Sequence, residues 1–197
     1  VLQTRSVEMA MNHEVIVQVL TSFADTPGTL LVKEEDIVEQ KRITGIAYSR
    51  DESRITLTGV PDKPGVAASI FGPLADANIN VDMIVQNIDE IGRVTDMTFT
   101  VGKADFDRTV ALLEKARATL QYKEMTVDKN VAKVSVVGVG MKSHAGVALD
   151  MFKALADKGI NILVISTSEI KISVLIAEEY TELAVRALHA AFELEKA

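Results

Sequence analysis

The sequence predicts an α+β protein of two small βαββαβ modules in tandem, each with an antiparallel sheet. Three observations carry that expectation. Residues 58–87, TGVPDKPGVAASIFGPLADANINVDMIVQN, are echoed by residues 138–168, GVGMKSHAGVALDMFKALADKGINILVISTS. An offset of 81 pairs Gly65 with Gly146, Val66 with Val147, Phe71 with Phe152, Leu74 with Leu155, Asp76 with Asp157 and Asn80 with Asn161, so the chain is internally duplicated. Within each copy the apolar residues switch from strand-like alternation to helical spacing and back. The 197 residues, 48% hydrophobic and 25% charged, have a folded composition and the length for two small domains.

Residues 5–12 read as a helix with Ser6 as N-cap, and residues 15–20 as a buried strand. The turn Asp25-Thr26-Pro27-Gly28 and a second apolar run at 29–32 follow. This opening stretch is too short to bury a core and reads as the end of a larger domain. Residues 33–42 are charge-rich and read as a connector. Residues 43–48 form a short strand candidate, with Ser49-Arg50-Asp51-Glu52 as its turn, and 54–60 alternate as a half-buried strand.

Pro64 takes the first helical position of a helix whose apolar face is Val66, Ile70, Phe71, Leu74 and Ala75, and Asn78 ends it. Strands follow at 79–88 and 93–101, then a helix at 106–120 capped by Asp105, then a short strand at 124–127. This order is the split βαβ, or ferredoxin-like, pattern. The second copy supplies strand 132–139, helix 146–158, strands 161–166 and 171–177, and helix 181–193. No strand follows that helix, and an open sheet edge invites aggregation. Residues 43–48 are the expected filler, which inserts the first module inside the second. The predicted division is 1–42, then 43–49 completing the second module, 50–129 as the first module and 130–197 as the second. With no tryptophan and only 5% aromatic residues, both cores are expected to consist of Val, Ile, Leu, Ala and Met.

The absence of cysteine removes disulfides, thiolate metal sites and cysteine nucleophiles, and fits a reducing cytoplasm. A net charge of −7 argues against binding nucleic acid. Apolar runs are strand-length, so no membrane span is expected, and the N-terminus lacks the apolar region of a signal peptide. Gly138-Val139-Gly140 lacks the third glycine of a dinucleotide fingerprint and reads as a turn. His13, His144 and His189 are scattered, without partners at metal-ligand spacing. No nucleophile elbow or phosphate-binding loop is present, so no catalytic residue, metal or cofactor is assigned.

The turn Pro61-Asp62-Lys63-Pro64-Gly65 is the informative motif. It delivers backbone N–H groups at a helix start, where the dipole favours a carboxylate, and Asp62 is placed to accept an ammonium group. Asn80, Asp82 and Gln86 add polar groups on the next strand, and together these suit a free amino acid. Asp62 and Asn80 equally serve to shape turns, as Asp and Asn commonly do, and the residues alone leave both readings open.

The paired segments, particularly Met141-Lys142-Ser143-His144 and Ser166-Thr167-Ser168-Glu169-Ile170, resemble the two ACT domains of bacterial aspartokinases over residues 43–193. Arg5-Ser6-Val7-Glu8 and the stretch from Ser22-Phe23 to Pro27-Gly28-Thr29-Leu30 resemble the end of that family's kinase domain, whose Lys-Phe-Gly-Gly motif does not occur here. The resemblance implies a regulatory β subunit, not an enzyme by itself, acting in the cytoplasm in lysine and threonine biosynthesis. It implies a homodimer in which threonine, lysine or both bind between the first module of one chain and the second of another, associated with a catalytic α subunit as α2β2. Implied effector contacts are Asp62, Lys63, Pro64, Gly65, Asn80, Val81, Asp82 and Gln86 from the first module, with Val147, Ala148, Asn161, Ile162, Ser168 and Glu169 from the second. Ala148 stands where related chains often carry a hydroxyl residue. The alternative implication is a module that assembles subunits without sensing an effector.

Overall fold

A computed structural model of the chain describes residues 2–32, 43–89, 93–138 and 146–196. It divides into two compact units, 1–41 and 42–197. The first unit holds helix α1 (Thr4–Asn12) and the antiparallel strands β1 (Val17–Val19) and β2 (Thr29–Leu31). No residue of α1 is buried, and its N-cap is Gln3 rather than the expected Ser6. The connection between β1 and β2 is held by Gln18 Nε2, which donates to the Pro27 carbonyl at 2.9 Å.

The second unit contains β3 (Gly45–Pro61), α2 (Val66–Asp76), β4 (Val81–Ile88), β5 (Val94–Val101), α3 (Phe106–Lys115), α4 (Arg117–Leu120), β6 (Glu124–Val137), α5 (Val147–Ala156), β7 (Val164–Thr167), β8 (Lys171–Ala177) and α6 (Thr181–Ala191). Its strands form one six-stranded antiparallel sheet in the order β4-β5-β3-β6-β8-β7.

Two long strands run through both modules. The first five residues of β3 pair with the last five of β6, from Gly45 opposite Val137 to Ser49 opposite Lys133. The other part of β3 pairs with β5, from Ser53 opposite Val101, and with the start of β6, from Arg54 opposite Asp128. Residues 45–49 thus lie as the outer strand beside the second copy. The expected turn at Ser49-Arg50-Asp51-Glu52 is instead a bulged stretch inside β3, with register breaks between Ser49 and Glu52 and between Glu52 and Arg54. A bulge absorbs an extra residue and bends a strand without ending it. The polar side chains there are used across the sheet: Asp51 Oδ1 accepts from the Lys103 amide at 2.8 Å, and Arg50 meets Glu182 at 3.2 Å. For the same reason the expected strands at 124–127 and 132–139 are one strand, β6; Val139 lies outside the described residues.

Other differences are local. The expected helix 106–120 is divided at Ala116, and Asp105 gives its N-terminus no side-chain hydrogen bond. Pro64 lies in the turn before α2, not in its first helical position, because Gly65 takes the N-cap. The strand expected to begin at Asn161 begins at Val164.

Alternation along the strands gives the sheet two chemically different faces. Ile55, Leu57, Met97 and Phe99 point to one face, where Val66, Ile70 and Leu74 of α2 and Phe106 and Leu113 of α3 complete a core. Val134, Val136, Val174 and Ile176 do the same beneath α5 and α6, with Val147, Met151, Leu155 and Leu188. These clusters hold 14 and 12 buried residues, so each module has a core of its own. Fully burying each such large side chain contributes about 1.5–3 kcal/mol relative to exposure. On the helix-free face Thr56 and Thr98 share a hydrogen bond at 2.9 Å, and Ser135 and Ser173 one at 2.8 Å. A third buried cluster, Met83, Val131, Val164 and Leu175, joins strands of both modules.

Candidate functional site

The turn that opens α2 is shaped by its backbone. The Asp62 amide donates to the Arg93 carbonyl at 3.0 Å, tying the end of β3 to the start of β5. The Val66 amide donates to the Lys63 carbonyl at 3.1 Å, closing a turn with Pro64 second and Gly65 third. Gly65 has φ 91° and ψ −3°, the third-residue conformation of a type II turn, which favours glycine. A Cβ at Gly65 would meet no atom within 4 Å, so the backbone conformation, not crowding, selects glycine. Gly146, at φ 104° and ψ −14°, repeats this glycine conformation at the start of α5.

Helical geometry leaves the amides of Gly65, Ala67 and Ala68 without intrahelical acceptors, at the positive end of the α2 dipole. Beside them, Asp62, Lys63, Pro64, Gly65, Val66, Ala67 and Gln86 line a concavity of about 420 Å³. Five of the candidate residues therefore come together: Asp62, Lys63, Pro64, Gly65 and Gln86. Asp62 is half-buried, and among the described residues its carboxylate has no hydrogen-bond or ion-pair partner. Lys63, Pro64, Gly65, Ala67 and Gln86 are exposed, which leaves the concavity open to solvent. An acceptor of positive charge facing free amides can hold both ends of an α-amino acid, and the Gln86 amide adds a donor and an acceptor.

The other candidates lie apart. Asn80, just before β4, and Val81 and Asp82 sit toward the opposite end of that strand from Gln86; four steps of strand from Asp82 to Gln86 span about 13 Å. Asp82 is occupied: Oδ2 accepts from Lys133 Nζ at 2.7 Å, and Oδ1 accepts from the Met83 amide at 2.8 Å. The Lys133 hydrogen bond, opposed by burial and helped by the Met83 amide, holds the Asp82 carboxyl below the usual range. Val81 packs on the first core, while Val147 is buried in the second and Ala148 packs against it.

Asn161 and Ile162 lie before β7, and Ser168 and Glu169 lie in the turn after it. The Ser168 hydroxyl accepts from the Lys171 amide at 3.2 Å, so it helps close that turn. Ile162 lines a second concavity of about 360 Å³ with Val85, Asn87, Thr98, Leu163, Val164 and Ile165. Met141, Lys142, Ser143 and His144 lie outside the described residues. Sequence reasoning missed Val66 and Ala67 as lining residues. The signal was present in Gly65-Val66-Ala67, since residues of a helix's first turn adjoin the amides it offers, whether exposed like Ala67 or buried like Val66.

Among the described residues no group of three His, Asp or Glu is placed to hold a metal ion, and no helix is long and apolar enough to cross a membrane.

Two ACT-domain family models match this chain, at residues 54–118 and 134–192. An aspartate kinase from Stutzerimonas stutzeri (strain A1501) is 55% identical over 196 residues, covering 99% of this chain and 47% of that protein. The chain thus spans about half the length of the curated relatives it matches. A crystal structure of aspartokinase alpha and beta subunits contains a chain 52% identical, with TM-score 0.72, covering 77% of this chain and 99% of the other. The ligand-free regulatory subunit of aspartate kinase from Thermus thermophilus is 44% identical, also with TM-score 0.72, over 77% of this chain and 99% of that one. Aspartokinase III of E. coli, crystallised with lysine and aspartate in its T-state, is 25% identical, with TM-score 0.73, over 98% of this chain and 42% of that one. The inserted modules, the sheet they share and these similarities agree: the chain belongs to the aspartokinase family and comprises its regulatory part, a tandem pair of ACT domains.

Proposed function

We propose that this chain senses an end-product amino acid, threonine, lysine or both, and passes its presence to a catalytic subunit as feedback inhibition of aspartate phosphorylation. The observation that carries the reading is the unpartnered Asp62 carboxylate beside the open amides of α2, in a concavity that also holds Gln86. The ligand's carboxylate lies against the amides and its ammonium against Asp62. The exposed rim calls for a covering surface, and a second copy of the chain supplies it with Val147, Ala148, Asn161, Ile162, Ser168 and Glu169. Asn80, Val81 and Asp82 extend the first module's contribution along β4. The lysine complex of the E. coli relative and the paired alpha and beta subunits of the 52%-identical relative support an effector and a catalytic partner of these kinds. A homodimer of this chain carrying two catalytic subunits is the assembly proposed.

Regulation then follows from linkage. An effector held between two chains favours the arrangement that binds it better, and it shifts the kinase only by that difference in affinity, typically about 1–3 kcal/mol. Calorimetry of the chain with threonine and lysine, separately and together, paired with ultracentrifugation, tests the reading. Heat of binding with a change in association supports it; no heat from either amino acid refutes it.

A further inference from the structure

Lys133 lies on the helix-free face of β6 with its Nζ 2.6 Å from Glu52 Oε1 and 2.7 Å from Asp82 Oδ2. The side chains of Lys133 and Glu52 are 19% and 7% exposed, so that pair is enclosed, while the Asp82 side chain, 54% exposed, meets Lys133 from the solvent side. Burial pulls the Lys133 ammonium toward neutrality, but the hydrogen bonds it donates to Asp82 and Glu52 outweigh it and raise its pKa. Glu52 sits in the bulge of the adjacent strand β3, whereas Asp82 is the second residue of β4, the far edge strand.

Two strands, β5 and β3, separate β4 from β6 in the sheet order. Three strand spacings on a flat sheet amount to about 14 Å, beyond the reach of a lysine side chain. The bond to Asp82 therefore exists because the sheet curls until β4 crosses over the second module. The two halves meet where it crosses, at Met83 and Val85 with Val131, Leu163, Val164 and Leu175.

The repeat adds a second argument. Glu52 and Lys133 are 81 residues apart, as are Met83 and Val164, so both pairs are equivalent positions of the two copies. Equivalent residues meet where a duplicated structure folds on itself, and identical copies would put like against like. Divergence at this point placed an acid against a base. It also gave β4 an acidic residue, Asp82, where the second copy has Leu163. Asp82 in turn holds a bulge of β4: its Oδ1 binds the amide of Met83, which has φ 47°, an uncommon conformation for a side chain of that size.

We propose that Lys133 is a latch, which through Asp82 fixes the mutual orientation of the two modules and holds the β4 bulge in place. The Glu52 contact anchors Lys133 and the Asp82 contact closes the latch. The latch operates within one chain and without any effector.

The chain contains no cysteine, so Asp76→Cys and Asp157→Cys, exposed and equivalent in the two modules, give clean sites for a pair of spin labels. Electron–electron distance distributions are read without ligand, with labelled chain diluted in excess unlabelled chain so that only intrachain distances count. Asp82→Asn takes the charge out of the crossing link and leaves the Glu52–Lys133 pair, and Lys133→Met removes both links; each is expected to shift or broaden a narrow native distribution. Lys133→Arg, which keeps charge and donors, is expected to leave it narrow. A role in stability alone lowers the melting temperature without moving the distances, and that result overturns the proposal. So does a native distribution already as broad as that of Asp82→Asn. Should Lys133→Met fail to fold, Asp82→Asn decides the question in the same way.

Discussion

Replacing Asp62 with asparagine removes a charge and leaves the shape of its turn. That turn is held by backbone bonds, Asp62 amide to Arg93 carbonyl at 3.0 Å and Val66 amide to Lys63 carbonyl at 3.1 Å, neither of which uses the carboxylate. Folding and melting temperature should therefore hold while ligand affinity falls. A hydrogen bond to a charged group contributes about 1.5–3 kcal/mol. Asp62 is only half-buried, so the lower part of that range applies, about 1.5–2 kcal/mol. At 1.4 kcal/mol per factor of ten, the dissociation constant for threonine or lysine should rise about 10- to 30-fold. The assay is calorimetry on the native chain and on Asp62→Asn at equal ionic strength, since salt screens a partly exposed charge. A folded variant whose dissociation constant stays within about twofold of the native value refutes the assignment of Asp62 to the ammonium group.

Three further outcomes follow from the geometry. Gly146→Ala places a Cβ at φ 104° with nothing nearby to strike, so urea denaturation should show a loss of about 1–2 kcal/mol from backbone conformation alone. Thr100 is fully buried, and its hydroxyl has no partner among the described residues; Thr100→Val should leave stability unchanged or raise it by about 1 kcal/mol in the same assay. Lys133 has a raised pKa, so its contribution is complete below the unfolded value of about 10.4 and is lost as pH climbs through the higher folded value. Asp82 has a lowered one, so its contribution is present above about 3.9 and is lost as pH falls through the lower folded value. The stability difference between native chain and Lys133→Met should accordingly be level from about pH 5 to 9 and shrink toward both extremes.

The repeat made the two cores legible in advance, because Val66, Ile70 and Leu74 and their equivalents Val147, Met151 and Leu155 carry helical spacing within one short segment. The turn around Asp62 was legible for a similar reason: proline, glycine and an acidic residue act on their immediate neighbours. Side chains that work across the sheet were not legible. Ser49-Arg50-Asp51-Glu52 reads as a turn by composition, yet its charged side chains are met by the backbone amide of Lys103 and by the side chains of Lys133 and Glu182, far along the chain. Asp82 shows no sign in sequence of its bond to Lys133, 51 residues away, since only the curl of the sheet brings them together.

The passage of β3 and β6 through both modules has a consequence for how the chain can be taken apart. The first module leaves the second at β3 and returns at β6, on neighbouring strands, so its entry and exit lie side by side. Excising it and joining those two points through a tight turn would convert the second module's outer and first strands into an ordinary hairpin, Gly45 still opposite Val137 and Ser49 opposite Lys133. The regulatory pair is thus a nested arrangement in which the host remains topologically whole. Besides their side-chain contacts, guest and host share two uninterrupted backbones, so a twist imposed on either is carried to the other along the strands themselves.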